Sequence, residues 1–388
     1  MLRIRCHVLT FVTTIAPAVA LAATVSAQEY EVTDLGATGT FNYAWSLNQH
    51  GDVAGISYDE HYLNGEGFVY VQGHLRYVGA PGGGGTSSVV AINNLGHAAG
   101  TLNGSQGSEA FIWIGHRVRL GTLGGNRSYG HCINDLGQAV GLAALPDNSL
   151  SGFIWEDGEM RPLPIWPAWI NNNDQIVGGA MLLENGELYQ LPGPGHAAEG
   201  WYIHDNGDIA GAVRITSPGG YPVARAAVWR DRELVLLLGT LADERPFEGE
   251  GMSIIKGINA DGVIVGMSTN ATYSAYVPFL YRDGAMVQLD DLMPEPWVAL
   301  DVFAGSINDA GQIAVTAKIP GVNGIRALLL TPIDSCPADI DGDGDTDQAD
   351  LGLLLSSYQV DDGGDLDGDG DTDQADLGIL LADYNCAP

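Results

Sequence analysis

Basic residues are scarce in this 388-residue chain: Lys and Arg number 16 against 48 Asp and Glu, a net charge of −32. A surface of that sign repels phosphate backbones and anionic lipid headgroups, which argues against nucleic acid as a partner. Cysteine is rare, at four residues, too few for a disulfide-built scaffold. The HExxH, CxxC and GxSxG signatures are all missing. Zincin, thiol-redox and serine-elbow chemistry therefore have no sequence support. The PGGGG run at 81–85 lacks the Lys-Ser/Thr of a phosphate loop and reads as a turn. Past residue 27 no apolar run is long enough to span a bilayer.

What is present begins with a leader. Arg3 and Arg5 precede an apolar stretch broken by Pro17, and Val25-Ser26-Ala27 fits a small-residue cleavage site. This predicts a secretory signal over 1–27 and a secreted or cell-surface protein. Cys6 would leave with the signal, while Cys132, Cys336 and Cys386 would remain. Export permits a disulfide, and Cys336 with Cys386 brackets an Asp-rich segment whose ends such a bond would tie together. Cys132 is expected to be buried.

Between these ends the chain repeats. An apolar residue, Asn, a short spacer, usually Gly, and an apolar strand recur as SLNQHGDVAG at 46, AINNLGHAAG at 91, CINDLGQAVG at 132 and WINNNDQIVG at 169. Further copies are YIHDNGDIAG at 202, GINADGVIVG at 257 and SINDAGQIAV at 306. The key positions, Asn48, Asn93, Asn134, Asn171, His204, Asn259 and Asn308, recur about every 43 residues, the length of a four-stranded propeller blade. Asn can bond its side chain to backbone two residues on, and the following Gly accepts a positive φ, so each copy is a hairpin turn. A second hairpin follows in each unit, as in AFIWIGHRVRLG at 110 and PFLYRDGAMVQL at 278. The last unit supplies only three strands, and YEVTDLG at 30 resembles the fourth strand of the other units. The expectation is an all-β, seven-bladed propeller over 28–334, closed by its N-terminal strand. The pattern resembles the HAF-type extracellular repeat family of exported bacterial proteins through Glu109-Ala110-Phe111-Ile112-Trp113 alternating with the Asn-x-x-Gly turn. That resemblance implies no settled activity.

Residues 335–388 form a different unit. DIDGDGDTDQAD at 339 and DLDGDGDTDQAD at 365 place oxygen ligands at loop positions 1, 3, 5, 7, 9 and 12, with Gly at 6, as a calcium loop of the EF-hand type requires. The predicted ligands are Asp339, Asp341, Asp343, Asp345 through its carbonyl, Asp347 and Asp350. In the second loop they are Asp365, Asp367, Asp369, Asp371 through its carbonyl, Asp373 and Asp376, so two Ca²⁺ are expected. Each loop runs into an apolar helix pattern, and the halves differ at only 4 of 20 positions from Asp339 to Tyr358 and from Asp365 to Tyr384. Asp rather than Glu at position 12, and the duplication itself, resemble a type I dockerin. The resemblance implies a small α-helical module that docks a cohesin-like protein through Gln348, Ala349, Gln374 and Ala375. Because the halves are near-copies, the expectation is that either half can present the same face.

Asp135, Asp205, Asp261 and Asp309 fall in the repeated turn, and turn chemistry accounts for them, so no catalytic residue is assigned. Three residues before each key position stand Trp45, Val90, His131, Ala168, Trp201, Lys256 and Gly305. The first strand of a blade lines the central channel, so Trp45, His131, Trp201 and Lys256 are candidates to converge on a glycan or protein ligand. Uneven packing is the alternative. The reading is a non-catalytic recognition or structural propeller anchored by calcium-dependent docking. A polysaccharide-degrading hydrolase or lyase, and a surface-layer component, are the other two possibilities.

Overall fold

The computed structural model describes residues 30–82, 84–194, 198–217, 219–242, 251–333, 336, 338–341, 345–367 and 370–386. The expected leader lies outside these residues, as do Asp343 and Asp369.

Among the described residues the strands form seven antiparallel four-stranded sheets, six of them each built from one repeat. Blades 1 to 6 span 41–77, 86–121, 128–163, 169–190, 198–237 and 253–288. The seventh sheet takes Val298–Asp301, Ile313–Lys318 and Arg326–Pro332 from the last repeat and Tyr30–Asp34 from the other end of the chain. Tyr30 faces Pro332 and Asp34 faces Leu328 across that seam. The irregular fourth unit still forms four strands, the innermost reduced to Trp169–Ile170. The edge that each half of this sheet would expose alone is paired by the other half.

In blades 1, 2, 3 and 6 the third strand carries a Phe whose ring lies against a Gly of the second. Phe68 faces Gly55, Phe111 faces Gly100, Phe153 faces Gly141 and Phe279 faces Gly266. All four rings are fully buried. A Cβ on Gly100 would stand 2.0 Å from the Ser88 carbonyl oxygen and 2.9 Å from the Phe111 ring, so any side chain there displaces backbone. In these four blades the Phe of the third strand and the Val/Ala-Gly of the second are thus two halves of one contact. Blade faces then stack on one another. Buried hydroxyls of Ser87, Ser128 and Ser253 accept backbone N–H bonds from Gly67, Ala110 and Ala226 of the preceding blade.

The Asn turns bind the blades to one another. In blade 2, Asn93 Oδ1 accepts from the N–H of Leu95 and His97, closing its own turn. Its amide donates 2.8 Å to the Asn134 carbonyl of blade 3. The same link runs from Asn48 to Asn93, Asn134 to Asn171, Asn171 to His204, Asn259 to Asn308, and Asn308 to Asn48. His204 has no amide. Its Nδ1 accepts from the Asn206 N–H, while its Nε2 lies 3.1 Å from Asp309 of blade 7, bypassing blade 6. Asp135 and Asp309 serve this face too, accepting from Asn94 and Ala260 of neighbouring turns.

At the C-terminus, α1 (Gln348–Ser357) and α2 (Gln374–Asp383) pack through Leu354, Leu380 and Ala338. Cys336 and Cys386 are joined by a disulfide with a Cα separation of 5.5 Å. Cys132 is buried with a free thiol. Among the described residues no helix is long and apolar enough to cross a membrane.

Candidate functional site

The first strand of each blade lines the channel, and its pairing slips at one place. In blade 1, Ala44 faces Gly55 and Ser46 faces Ala54, leaving Trp45 unpaired. The same bulge isolates Val90, His131, Trp201 and Lys256. An extra residue in one strand re-aims its side chain. Here it turns the residue three before the Asn inward, whereas the two residues after it are both buried in the blade. The candidates chosen from sequence are thus the bulge residues.

They meet in one cavity of about 450 Å³ to which all seven blades contribute. Trp45, Trp201 and Phe303 give it aromatic walls, Val90, Ala168 and Ala304 fill the gaps, and His131 and Lys256 are its polar groups. Trp45 and Phe303 pack with ring centroids 5.8 Å apart. The Lys256 ammonium lies 5.4 Å from the centre of the Trp201 ring, within cation–π range. His131 Nδ1 is 2.8 Å from the Pro167 carbonyl. A carbonyl only accepts, so this nitrogen carries the hydrogen and the neutral ring keeps Nε2 as an acceptor. Burial holds the His131 pKa below its ordinary value, against the opposing pull of the Pro167 carbonyl. Burial likewise lowers Lys256 and raises the nearby Asp301, each partly offset by the other's charge.

Three lining residues were not foreseen. Trp169 forms the floor: it borders both this cavity and the small one, about 70 Å³, among the Asn turns on the opposite face. It packs on Tyr202 at 5.1 Å between ring centroids. Gly305 makes room for it. That residue holds φ +70°, and a Cβ would meet the Trp169 ring at 2.6 Å. The available signal was Trp169 at a position where most copies have Ser46, Ala91, Cys132, Gly257 or Ser306. In blade 7 Phe303 and Ala304 line the cavity in place of Gly305, and the bulge of that strand falls at Leu300, outside the lining, so the fixed spacing fails there.

In the C-terminal module, carboxylate oxygens of Asp339, Asp341 and Asp350 lie within 4.8 Å of one another, as do those of Asp345, Asp347 and Asp350 and those of Asp365, Asp367 and Asp376. Asp371 and Asp373 belong to the second loop, in which Gly370 turns the chain at φ +99°. Asp350 accepts backbone N–H bonds from Ile340, Asp341 and Asp347, and Asp376 accepts them from Leu366, Asp367 and Asp373. Each loop is therefore folded around its position-12 carboxylate, which also caps the helix that follows. An all-oxygen, carboxylate-rich donor set fits a hard cation of calcium's size. The halves pair through matched bonds, Gln359 N–H to the Thr372 carbonyl and Asn385 N–H to the Thr346 carbonyl, each 2.8 Å. Gln348, Ala349, Gln374 and Ala375 are exposed at the two helix starts, with Leu353, Leu355 and Leu381 exposed further along.

No protein-family model matches the chain, and no curated protein matches it. Solved structures similar to it include the β-propeller domain of the Trilobed protease from Pyrococcus furiosus, 9% identical, covering 76% of this chain and 94% of that one with a TM-score of 0.49. Another is a PL25 polysaccharide lyase described as an ulvan lyase, 12% identical over 78% of this chain and 96% of that one, TM-score 0.43.

Proposed function

We propose that this is an exported recognition protein of two working parts. The propeller, closed by its N-terminal strand, binds a ligand in the aromatic cup at its channel. The C-terminal module binds two Ca²⁺ and docks a cohesin-like protein in the manner its dockerin-like loops imply. The observation that supports this most is the repeated bulge, which delivers Trp45, His131, Trp201 and Lys256 to one cavity. A packing role would instead favour regular strands with small residues there. The module's part is supported by the duplicated carboxylate clusters and the exposed leucines beside them. Calcium would supply the positive charge that lets the carboxylates crowd together, so docking depends on the metal. The test is capture from extracellular and envelope fractions with the full-length protein, in calcium and in chelator. Calcium-dependent capture of one protein supports docking. Loss of a propeller ligand in a Trp45→Ala, Trp201→Ala double variant supports the cup, and unchanged binding overturns it.

A second reading, catalysis on a polysaccharide, draws on one feature. His131, Lys256 and Asp301 sit in or beside one cavity with pKa values displaced by burial, as acid–base groups often are. Product release from a polysaccharide panel, abolished by His131→Ala, is its test.

A further inference from the structure

Resting on the cup reading, the geometry points to an anionic sugar as the ligand: we infer that a uronate residue of an oligosaccharide binds against Trp45 and Trp201 with its carboxylate at Lys256. Among the described residues the Lys256 ammonium has neither a hydrogen bond nor an ion pair; it lies over the Trp201 ring, and Asp301 acts on it electrostatically without reaching ion-pair distance. It is held there by its backbone, since the bulge re-aims it and its carbonyl accepts the Gly305 N–H at 3.0 Å. An ammonium three donors strong, withdrawn into an aromatic cup, is what a carboxylate neutralises at short range.

The other polar group asks for something different. His131 in its neutral tautomer presents Nε2, an acceptor, and an acceptor pairs with a hydroxyl rather than a second anion. A ligand with a carboxylate, hydroxyls and an apolar ring face offers a partner to Lys256, to His131 and to the Trp rings. A uronate has all three. An aromatic carboxylate has the ring and the charge but no hydroxyl for His131. The chain's net charge of −32 does not forbid an anion, because charges on the outer surface are screened beyond about 8 Å at physiological salt. The field inside the cup is set by its nearest fixed charges, Lys256 and, opposing it, Asp301, whose carboxyl burial pushes toward its neutral form.

The test uses the full-length protein and titration calorimetry with oligomers of glucuronate, galacturonate and mannuronate. Each is compared with its methyl ester, which keeps the ring and removes the charge, and 4-hydroxybenzoate serves as a carboxylate without a sugar. The expected result is that at least one acid oligomer binds and its ester binds about 10-fold or more weakly, the scale of one charge-assisted hydrogen bond. Lys256→Met should erase the acid-over-ester preference, and Lys256→Arg should keep it. Both substitutions fall at one half-buried position that lines the cavity, and the Arg variant controls for folding. Esters bound as tightly as acids would overturn the inference while leaving the cup reading intact. So would a Lys256→Met protein that still prefers the acid, an absence of binding by every acid oligomer, or tighter binding of 4-hydroxybenzoate than of any uronate. The cup reading itself is judged separately, by the double tryptophan variant.

Discussion

Replacing Asn93 by alanine tests the claim that the Asn turns hold the blades together. Asn93 is 4% exposed and makes three side-chain bonds: two accepted within its turn, at 3.0 and 2.9 Å, and one donated to the Asn134 carbonyl at 2.8 Å. In Asn93→Ala the Leu95 N–H is near solvent and can be rehydrated, since Leu95 is exposed. The His97 N–H and the Asn134 carbonyl cannot be hydrated so easily. Two such groups at about 1–3 kcal/mol each give a loss of about 2–6 kcal/mol, a large part of a domain's stability. Asn93→Asp separates the two roles. It keeps the turn acceptor and removes the donor, placing a carboxylate oxygen at the Asn134 carbonyl, so about half the loss or more should persist. Asn94→Ala, at a half-buried neighbour that bonds Asp135, should cost about 1 kcal/mol or less. Guanidinium unfolding followed by tryptophan fluorescence reads all three as shifts in midpoint. If Asn93→Ala stays within about 0.5 kcal/mol of the parent, the turns do not link the blades energetically and the reasoning fails.

Four further outcomes follow from the same structure. His204→Asn should supply the missing amide link between blades 5 and 6 and raise the unfolding midpoint by about 1 kcal/mol equivalent, read by the same denaturation; a loss would show that the His204–Asp309 contact matters more. Gly100→Ala should destabilise by about 1–3 kcal/mol, because the added methyl overlaps the Ser88 carbonyl and Phe111, whereas an unchanged melting temperature would refute that packing. Chelation should reduce the helical circular dichroism of the C-terminal module, and Asp350→Ala or Asp376→Ala should each lower the Ca²⁺ stoichiometry from two to one in equilibrium dialysis. His131 binds a proton less readily when folded than its unfolded reference of 6.5, so the unfolded chain takes up more protons below about that pH and stability falls there; His131→Gln should flatten that part of a melting-temperature profile, and an unaltered profile would contradict the burial argument.

Local chemistry carried most of the architecture into the sequence. An Asn turn, a positive-φ Gly and alternating strands are short-range requirements, so seven repeats and their strand count were legible without a structure. So was the partner of Tyr30–Asp34, because the last repeat lacked one strand and the first segment matched it. The two acidic loops and the helices after them were legible for the same reason, since each loop's carboxylates and the cap of its helix fall within a dozen consecutive residues. The four cup residues were found from variability at one repeat position, without the reason for it.

That reason belongs to the tertiary structure. A bulge is defined by two residues facing one on another strand, and no single segment records it; in blade 7 the bulge lies at Leu300 and Phe303 lines the cup, so counting back from Asn308 led to Gly305 instead. Trp169 became the floor only because Gly305, more than 130 residues away, has no side chain in its path. The second role of each Asn, an amide given to the next blade's carbonyl, likewise depends on two turns about 40 residues apart being brought together. Turns, strands and acidic loops could be read from the chain alone, because each is satisfied by neighbours along it. Only the assembled blades decided which side chains share the cup, because that depends on close approach between residues the chain keeps far apart.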